Sequence, residues 1–374
     1  MLCIGGVYAW SIVAAELISG HGFSALQSQV IFGFLIAIFP TTMIIVGKIG
    51  NQIKHRHIGY ISGFLFWLGY FLASKSQGNF LIVFVGLGVI TGVSTGFGYW
   101  LSLTSPVKWF PKNKGLITGV AAAGFGLGAV FMSEISQALL KSGYNIMELL
   151  GLMGISYGII IIVASNFIFQ VPSSPSETSL PLKLSETFRS KTFKRLFLGI
   201  FLGTFAGLLV IGSLNLIGRE NDISTGNLVH AVAIFAIANF LGRLSWGMLS
   251  DRIGASLSIF LALLVQSISI LSLILFPLSD ATFWLISFLV GFGFGANFVL
   301  FARETAQVFG LDNMGSIYPY VFLGYAIAGV AGPAAGGFIF DISGSFTMAI
   351  LLASLISLAG GLLFFKQSFL RSKT

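Results

Sequence analysis

A single arginine within an apolar stretch is the residue of this sequence that most clearly indicates a binding function. Arg243 lies eight residues before Asp251, so a helical rise of about 1.5 Å per residue places it roughly 12 Å inside the stretch. That depth is near the middle of a hydrocarbon layer about 30 Å thick. A charge at this depth costs several kcal/mol unless it faces a cavity or a partner.

Acidic residues in the other apolar stretches do not match the depth of Arg243. Glu16, Glu134 and Glu148 fall near the outer ends of their stretches. An anionic ligand would supply the counter-ion, because guanidinium and carboxylate groups form bidentate pairs. The alternative is an arginine satisfied by main-chain carbonyls and water. His230 could titrate near neutrality, although an interfacial position without a function is the simpler interpretation.

The composition indicates that the apolar stretch around Arg243 lies in a membrane and not in the core of a soluble protein. Hydrophobic residues make up 56% of the 374 positions and charged residues only 9%, whereas soluble domains carry about 25% charged residues. The net charge of +8 does not predict nucleic-acid binding, because the basic residues lie in short connections between apolar runs. Most of the surface must therefore face lipid.

Twelve segments are long and apolar enough to be predicted as membrane-spanning helices, since a span needs about 20 residues. The predicted spans are residues 1–18, 28–46, 58–74, 80–104, 116–139, 149–169, 196–217, 228–249, 256–278, 281–302, 317–340 and 346–365. With both termini inside, the cytoplasmic segments hold sixteen basic residues and the outer loops three, which is a strong positive-inside bias. The first span begins at the first residue, so the N-terminus is expected to be short or incomplete.

A polar segment rich in serine and proline divides the chain. We predict an N-terminal six-helix half over residues 1–170, a cytoplasmic linker over 171–194 and a C-terminal six-helix half over 195–374. The halves share a pattern at an offset of 200, because GKIGNQIK begins at Gly47 and GMLSDRIG at Gly247. Matched positions at one offset indicate a duplicated unit, with a solute path expected between the two halves.

The segment GMLSDRIG, residues 247–254, resembles the signature in the loop between the second and third spans of each half of major facilitator proteins. Gly247 would let two helices approach closely, while Asp251 and Arg252 could form ion pairs or cap helix ends in one access state. An ordinary charged turn is the alternative interpretation. The resemblance implies an all-α membrane protein of twelve transmembrane helices in two six-helix halves, the major facilitator fold.

Three longer motifs resemble the oxalate:formate antiporter family and the related monocarboxylate transporters. They are GGVYAWS at 5–11, GFGYWLS at 96–102 with KWFPKNKGLITG at 108–119, and ANFLGRLSWGMLSDRIG at 238–254. The resemblance implies that Arg243 binds the substrate carboxylate. It also implies that the central cavity is lined by the aromatic residues Tyr8, Tyr99, Phe294 and Phe298.

Two departures from the family pattern affect the expected substrate. Tyr325 stands where the oxalate transporter has a second cation, a lysine, so one fixed positive charge favours a monoanion over a dianion. Asn239 stands one turn before Arg243, where proton-linked monocarboxylate transporters often have aspartate. Asn239 does not titrate, which argues against proton symport by that device, and anion exchange remains compatible.

The leading hypothesis is a secondary active transporter of a small organic anion, a monocarboxylate, working by exchange or symport. A major facilitator transporter of an unrelated solute and a non-transporting membrane sensor or scaffold are the alternatives. An enzyme is not expected, because no span holds a cluster suited to metal or acid–base chemistry. We expect no cofactor, no metal and no nucleic-acid partner, and a monomer in the lipid bilayer of a bacterial inner membrane.

Overall fold

A computed structural model describes the backbone of residues 1–50, 52–169 and 184–370. The side chains at positions 8, 11, 25, 26, 29, 225, 229 and 366–370 lie outside this description. Residue 170 and the first part of the predicted cytoplasmic linker, residues 171–183, also lie outside the described residues.

The described chain is built almost wholly of helices joined by short connections. A 3₁₀ helix, Ile4–Ala9, leads into α1, and a π-helical stretch, Phe84–Ile90, lies between α4 and α5. The helices are α1 Trp10–His21, α2 Ala25–Ile49, α3 His55–Ser74, α4 Phe80–Val83, α5 Thr91–Trp109, α6 Lys114–Lys141, α7 Ile146–Ser165, α8 Leu184–Arg189, α9 Lys191–Glu220, α10 Thr225–Ile253, α11 Ala255–Leu275, α12 Asp280–Phe309, α13 Leu311–Ser343 and α14 Thr347–Leu370.

Ten helices within the described residues are long and apolar enough to cross a bilayer. Two other predicted spans are helical but fall short of these criteria. Helix α1 has 12 residues, and α3 is as long as α7, at 20 residues, but less apolar. The all-helical membrane architecture is therefore confirmed, whereas the number of twelve spans stays a prediction.

Several helices extend beyond the limits that hydropathy indicated. Helix α12 ends at Phe309 and α13 begins at Leu311, so residues 303–316, between two predicted spans, are helical except for Gly310. Only Gly310 separates these helices, and only Gly254 separates α10 from α11, each with a φ of +86°. Glycine populates this left-handed region without the steric cost that a Cβ brings. Hydropathy detects the lipid-facing part of a helix but not its polar extension into water.

The motif at 247–254 accordingly differs from its expected form. We expected a loop, and the structure instead has Gly247 to Ile253 on the last two turns of α10, followed by Gly254. Its charged residues therefore project from a helix end, where their directions are fixed by the helix.

The chain divides into two compact units. The first comprises Met1–Trp109 and Gly124–Thr178, and the second comprises Phe110–Ala123 and Ser179–Thr374. The first ten residues of α6 therefore belong to the second unit.

Close backbone crossings organise the first unit. A methyl group at Gly86 would lie 2.5 Å from the Gly69 carbonyl oxygen, so glycine is needed where the π-helical stretch crosses α3. Further along, the Ser62 and Ser94 hydroxyls each donate to the other's carbonyl, at 2.9 and 2.8 Å. Small residues permit this packing in lipid, where the hydrophobic effect does not drive helices together.

The second unit uses the same devices. Helices α10 and α12 cross closely, because a methyl group at Gly291 would lie 2.5 Å from the Phe235 carbonyl oxygen. Ser267 on α11 and Ser354 on α14 exchange hydroxyl-to-carbonyl hydrogen bonds of 2.8 and 3.1 Å. The first of these contacts holds α10, which carries Arg243, against α12.

The glycine crossing in the first unit gives a stability prediction. Gly86→Ala should lower the Tm of the detergent-solubilised protein by about 3 °C or more, because the added methyl group forces α3 and the π-helical stretch apart. Gly33→Ala is the matched control, since a methyl group at Gly33 meets no atom within 4 Å. Equal melting temperatures for the two variants would show that the crossing is not tight.

Candidate functional site

Arg243 is buried in the second unit, with 3% of its surface exposed. Its Nε donates to the Asn239 side-chain oxygen at 2.8 Å, one turn earlier on α10. Its Nη1 donates to the main-chain carbonyl of Ala122 on α6. The guanidinium carbon lies 4.3 Å from the centroid of the Phe298 ring. A side-chain amide, a main-chain carbonyl and a ring face thus contact the buried charge.

The backbone around Arg243 is fixed by glycines on two sides. A methyl group at Gly119 on α6 would lie 2.6 Å from the Arg243 carbonyl oxygen. A methyl group at Gly295 on α12 would lie 3.1 Å from the Arg243 nitrogen. Because both neighbouring helices approach this closely, the direction in which the arginine side chain leaves α10 is tightly determined.

Aromatic rings form a wall beside the guanidinium. Phe298 contacts Phe294 and Tyr325 edge to face, each at 5.3 Å between centroids. Tyr325 stacks on Phe322 at 5.0 Å. All four rings are buried. The negative face of Phe298 favours the cation, and the edge-to-face geometry fixes the ring that provides it.

The structure therefore brings together five of the residues that the family pattern assigns to the solute site. Arg243, Asn239, Phe298, Phe294 and Tyr325 form one contiguous group. Main-chain satisfaction of the arginine, the alternative raised by the sequence, is present in part as the Ala122 contact. An arginine can keep such a contact without ligand and exchange it for an anion.

The two predicted tyrosines of the first unit are described separately. Tyr99 on α5 is buried, with its ring 4.9 Å from that of Phe39 and 5.0 Å from that of Phe125. Tyr8 lies in the 3₁₀ helix Ile4–Ala9, and its side chain lies outside the described residues. Their predicted role in lining the cavity stays a prediction.

Asp251 caps a helix and binds an arginine. Its two carboxylate oxygens accept hydrogen bonds from the amides of Gly115 and Leu116 in the first turn of α6, at 2.8 and 2.9 Å. One of them also accepts from Arg303 Nε at 3.1 Å. A carboxylate at a helix N-terminus is stabilised by the amides there and by the helix dipole.

The other two residues of the motif have different surroundings. A methyl group at Gly247 would lie 2.5 Å from the Gly115 carbonyl oxygen, so Gly247 permits close approach as predicted from its type. Arg252 is exposed. The charged partner of Asp251 is Arg303 on α12, which lies outside the sequence motif at 247–254.

Glu304 is a buried acid that the sequence analysis did not single out. Its side chain is fully buried, accepts from the Ser256 hydroxyl at 2.7 Å and lies 3.9 Å from Arg195. The Arg195 guanidinium lies 5.0 Å from the Phe364 ring centroid. These residues join the ends of α9, α11, α12 and α14. The predicted apolar span ends at residue 302, just before Glu304, so hydropathy gave no signal for this acid.

Comparison with known proteins identifies the family. The family model described as Major Facilitator Superfamily matches residues 1–330 and 196–373. The chain is 28% identical to the uncharacterized MFS-type transporter YhjX of Escherichia coli, covering 87% of this chain and 82% of that protein. It is also 28% identical to the oxalate:formate antiporter of Oxalobacter formigenes, covering 67% of this chain and 61% of that protein.

Other relatives and solved structures agree at the level of fold. Monocarboxylate transporter 12-B of Danio rerio is 22% identical, covering 86% of this chain and 75% of that protein. The crystal structure of the Escherichia coli fucose:proton symporter FucP superposes with a TM-score of 0.75 at 15% identity, covering 97% of each chain. With the family model spanning both units, this chain is an integral membrane protein that belongs to the Major Facilitator Superfamily.

Proposed function

We propose that this protein is a secondary active transporter of a small monocarboxylate, with Arg243 binding the carboxylate group. The observation that carries the proposal is the burial of Arg243 against Asn239 and Phe298, with Tyr325 packed on Phe298. A buried guanidinium in lipid surroundings is costly and marks a solute path more often than a structural contact. Similarity to an oxalate:formate antiporter and to a monocarboxylate transporter supports this class of solute.

The charge and shape of the group favour a monoanion. By the family resemblance, Tyr325 stands where the oxalate transporter has a lysine, so the proposed site relies on the single positive charge of Arg243. The rings of Phe294 and Phe298 would contact the small apolar part of the solute. Asn239 accepts from Arg243 without titrating, which favours exchange of one anion for another over a proton-linked device at this position.

The remaining features of the transporter follow from the family architecture. We propose twelve spans in two six-helix halves, with Tyr8 and Tyr99 lining the path and both termini in the cytoplasm of a bacterial cell. Transport would proceed by alternating access of one site to the two sides. Asp251, Gly247 and Arg252 would act in gating, since the Asp251 contacts to α6 and Arg303 can form in one access state and break in another.

Removal of the guanidinium tests the proposed solute site. In proteoliposomes supplied with labelled formate, lactate, pyruvate and oxalate, Arg243→Gln should reduce carboxylate uptake or counterflow by about thirtyfold or more, because an unpaired buried carboxylate costs at least 2 kcal/mol. Arg219→Gln, at the end of α9, is the matched control and should transport normally.

The results separate the possible functions. Normal carboxylate flux through folded Arg243→Gln would show that Arg243 does not bind the solute. Absence of flux for every carboxylate with the natural protein would favour a transporter of an unrelated solute or a membrane sensor.

A second cation tests the preference for monoanions. Tyr325→Lys places an ammonium group near the aromatic wall and should raise the ratio of oxalate to formate transport by about tenfold, because a charge-assisted hydrogen bond adds about 1.5 kcal/mol or more. Tyr325→Phe, which removes only the hydroxyl, should leave the ratio unchanged. An unaltered ratio in Tyr325→Lys would contradict the charge argument.

The gating proposal predicts coupling between two charged residues. Asp251→Asn and Arg303→Gln should each slow transport, and the double variant should be no slower than the worse single variant, because both changes break one hydrogen-bonded pair. Additive losses in transport rate would show that Asp251 and Arg303 act independently.

A further inference from the structure

Contacts between α6 and α10 run along successive turns of the two helices within the second unit. Asp251 binds the first-turn amides of Gly115 and Leu116, and Gly115 packs against the Gly247 backbone. Four residues further along α6, Gly119 packs against the Arg243 carbonyl. The Ala122 carbonyl then accepts from Arg243 Nη1. We call this set of contacts the α6–α10 seam.

The seam ends on the group that is proposed to bind the solute. A guanidinium can bind a carboxylate through two donors on either of two edges, Nε with one Nη or the two Nη groups together. In this structure Asn239 engages Nε and Ala122 engages Nη1. A carboxylate on the Nε edge displaces the Asn239 oxygen, and a carboxylate that takes the Nη1 hydrogen held by Ala122 displaces that carbonyl.

Of the two acceptors, the Ala122 carbonyl loses less hydrogen bonding when the arginine leaves. As an interior residue of α6 it has a helical partner four residues further on, so it stays hydrogen-bonded when the arginine leaves. The Asn239 oxygen has no such helical partner and lies on the same helix as Arg243, where the i, i+4 geometry is maintained. A carboxylate is charged and can accept two hydrogen bonds from a guanidinium, so it is a stronger partner than a single neutral carbonyl.

We propose that the solute carboxylate competes with the Ala122 carbonyl for Arg243, so that solute binding opens the inner end of the α6–α10 seam. This inference rests on the proposed function, because it gives the carboxylate site a built-in competitor. The competition links two equilibria, and linkage is reciprocal. Whatever closes the seam must weaken solute binding, and solute binding must loosen the seam.

The sign of this linkage is testable by binding. Asp251→Asn removes the charge that holds the Asp251 end of the seam. The variant should therefore bind the monocarboxylate about fivefold or more tightly and transport it more slowly. Affinity is measured by equilibrium binding of labelled formate, lactate and pyruvate to purified protein. Asp341→Asn, at an exposed position on α13, is the control and should bind with natural affinity.

A second measurement follows the seam directly and does not need Asp251 to be changed. Ser250 is buried on α10, and its hydroxyl lies beside Gly115. With Cys3 replaced by serine, Ser250→Cys should be alkylated at least about threefold faster when the bound monocarboxylate is present. Ser267→Cys, buried between α11 and α14, should show no such acceleration.

The outcomes distinguish this inference from the proposal beneath it. If no monocarboxylate binds the natural protein, the proposed function fails and the competition fails with it. If the solute binds through Arg243, but Asp251→Asn binds no more tightly and Ser250→Cys labels at an unchanged rate, the competition is overturned while the proposed function stands. Tighter binding together with faster labelling supports the competition.

Discussion

The cost of a charge in a medium that cannot solvate it governs this structure. Arg243 is nearly excluded from solvent, and its charge is distributed over an amide oxygen, a carbonyl dipole and an aromatic face. None of these three is itself an anion. Together these three contacts stabilise the guanidinium through dipoles and a ring quadrupole. A solute anion would add the charge–charge interaction that these three contacts lack.

Glycine makes this arrangement possible, because carbonyl oxygens reach a buried side chain only where helices approach closely. At Gly119 and Gly295 a side chain would strike the Arg243 backbone, so these positions bring two helices close to one residue. Glycine permits a similarly close helix crossing in the first unit, at Gly69 and Gly86. Close packing therefore does more than stabilise the bundle. It gives a charged side chain partners that would otherwise be absent from a hydrocarbon environment.

The sequence predicts the class of this protein well because lipid imposes simple rules on composition and helix length. Arg243 could be recognised from its depth alone, and its companions Asn239 and Phe298 from a family pattern. Other features depend on three-dimensional proximity and carry no local signal. Ala122 participates through its main chain, which any residue shares, and Asp251 finds Arg303 across 52 positions of sequence. Helix ends such as those at Gly254 and Gly310 were missed because hydropathy reports contact with lipid rather than hydrogen-bonding pattern.

The single-residue connections at Gly254 and Gly310 have a mechanical consequence. A loop of several residues has many rotatable backbone bonds, so the helices that it joins can turn independently. A single glycine offers only its own φ and ψ angles, so a rotation of α10 about its axis displaces the first residue of α11. Since α10 carries both Arg243 and Asp251, a movement of α11 is coupled through Gly254 to the helix that holds the buried charge. The same holds for α12 and α13, which carry Phe298 and Tyr325 on opposite sides of their glycine joint.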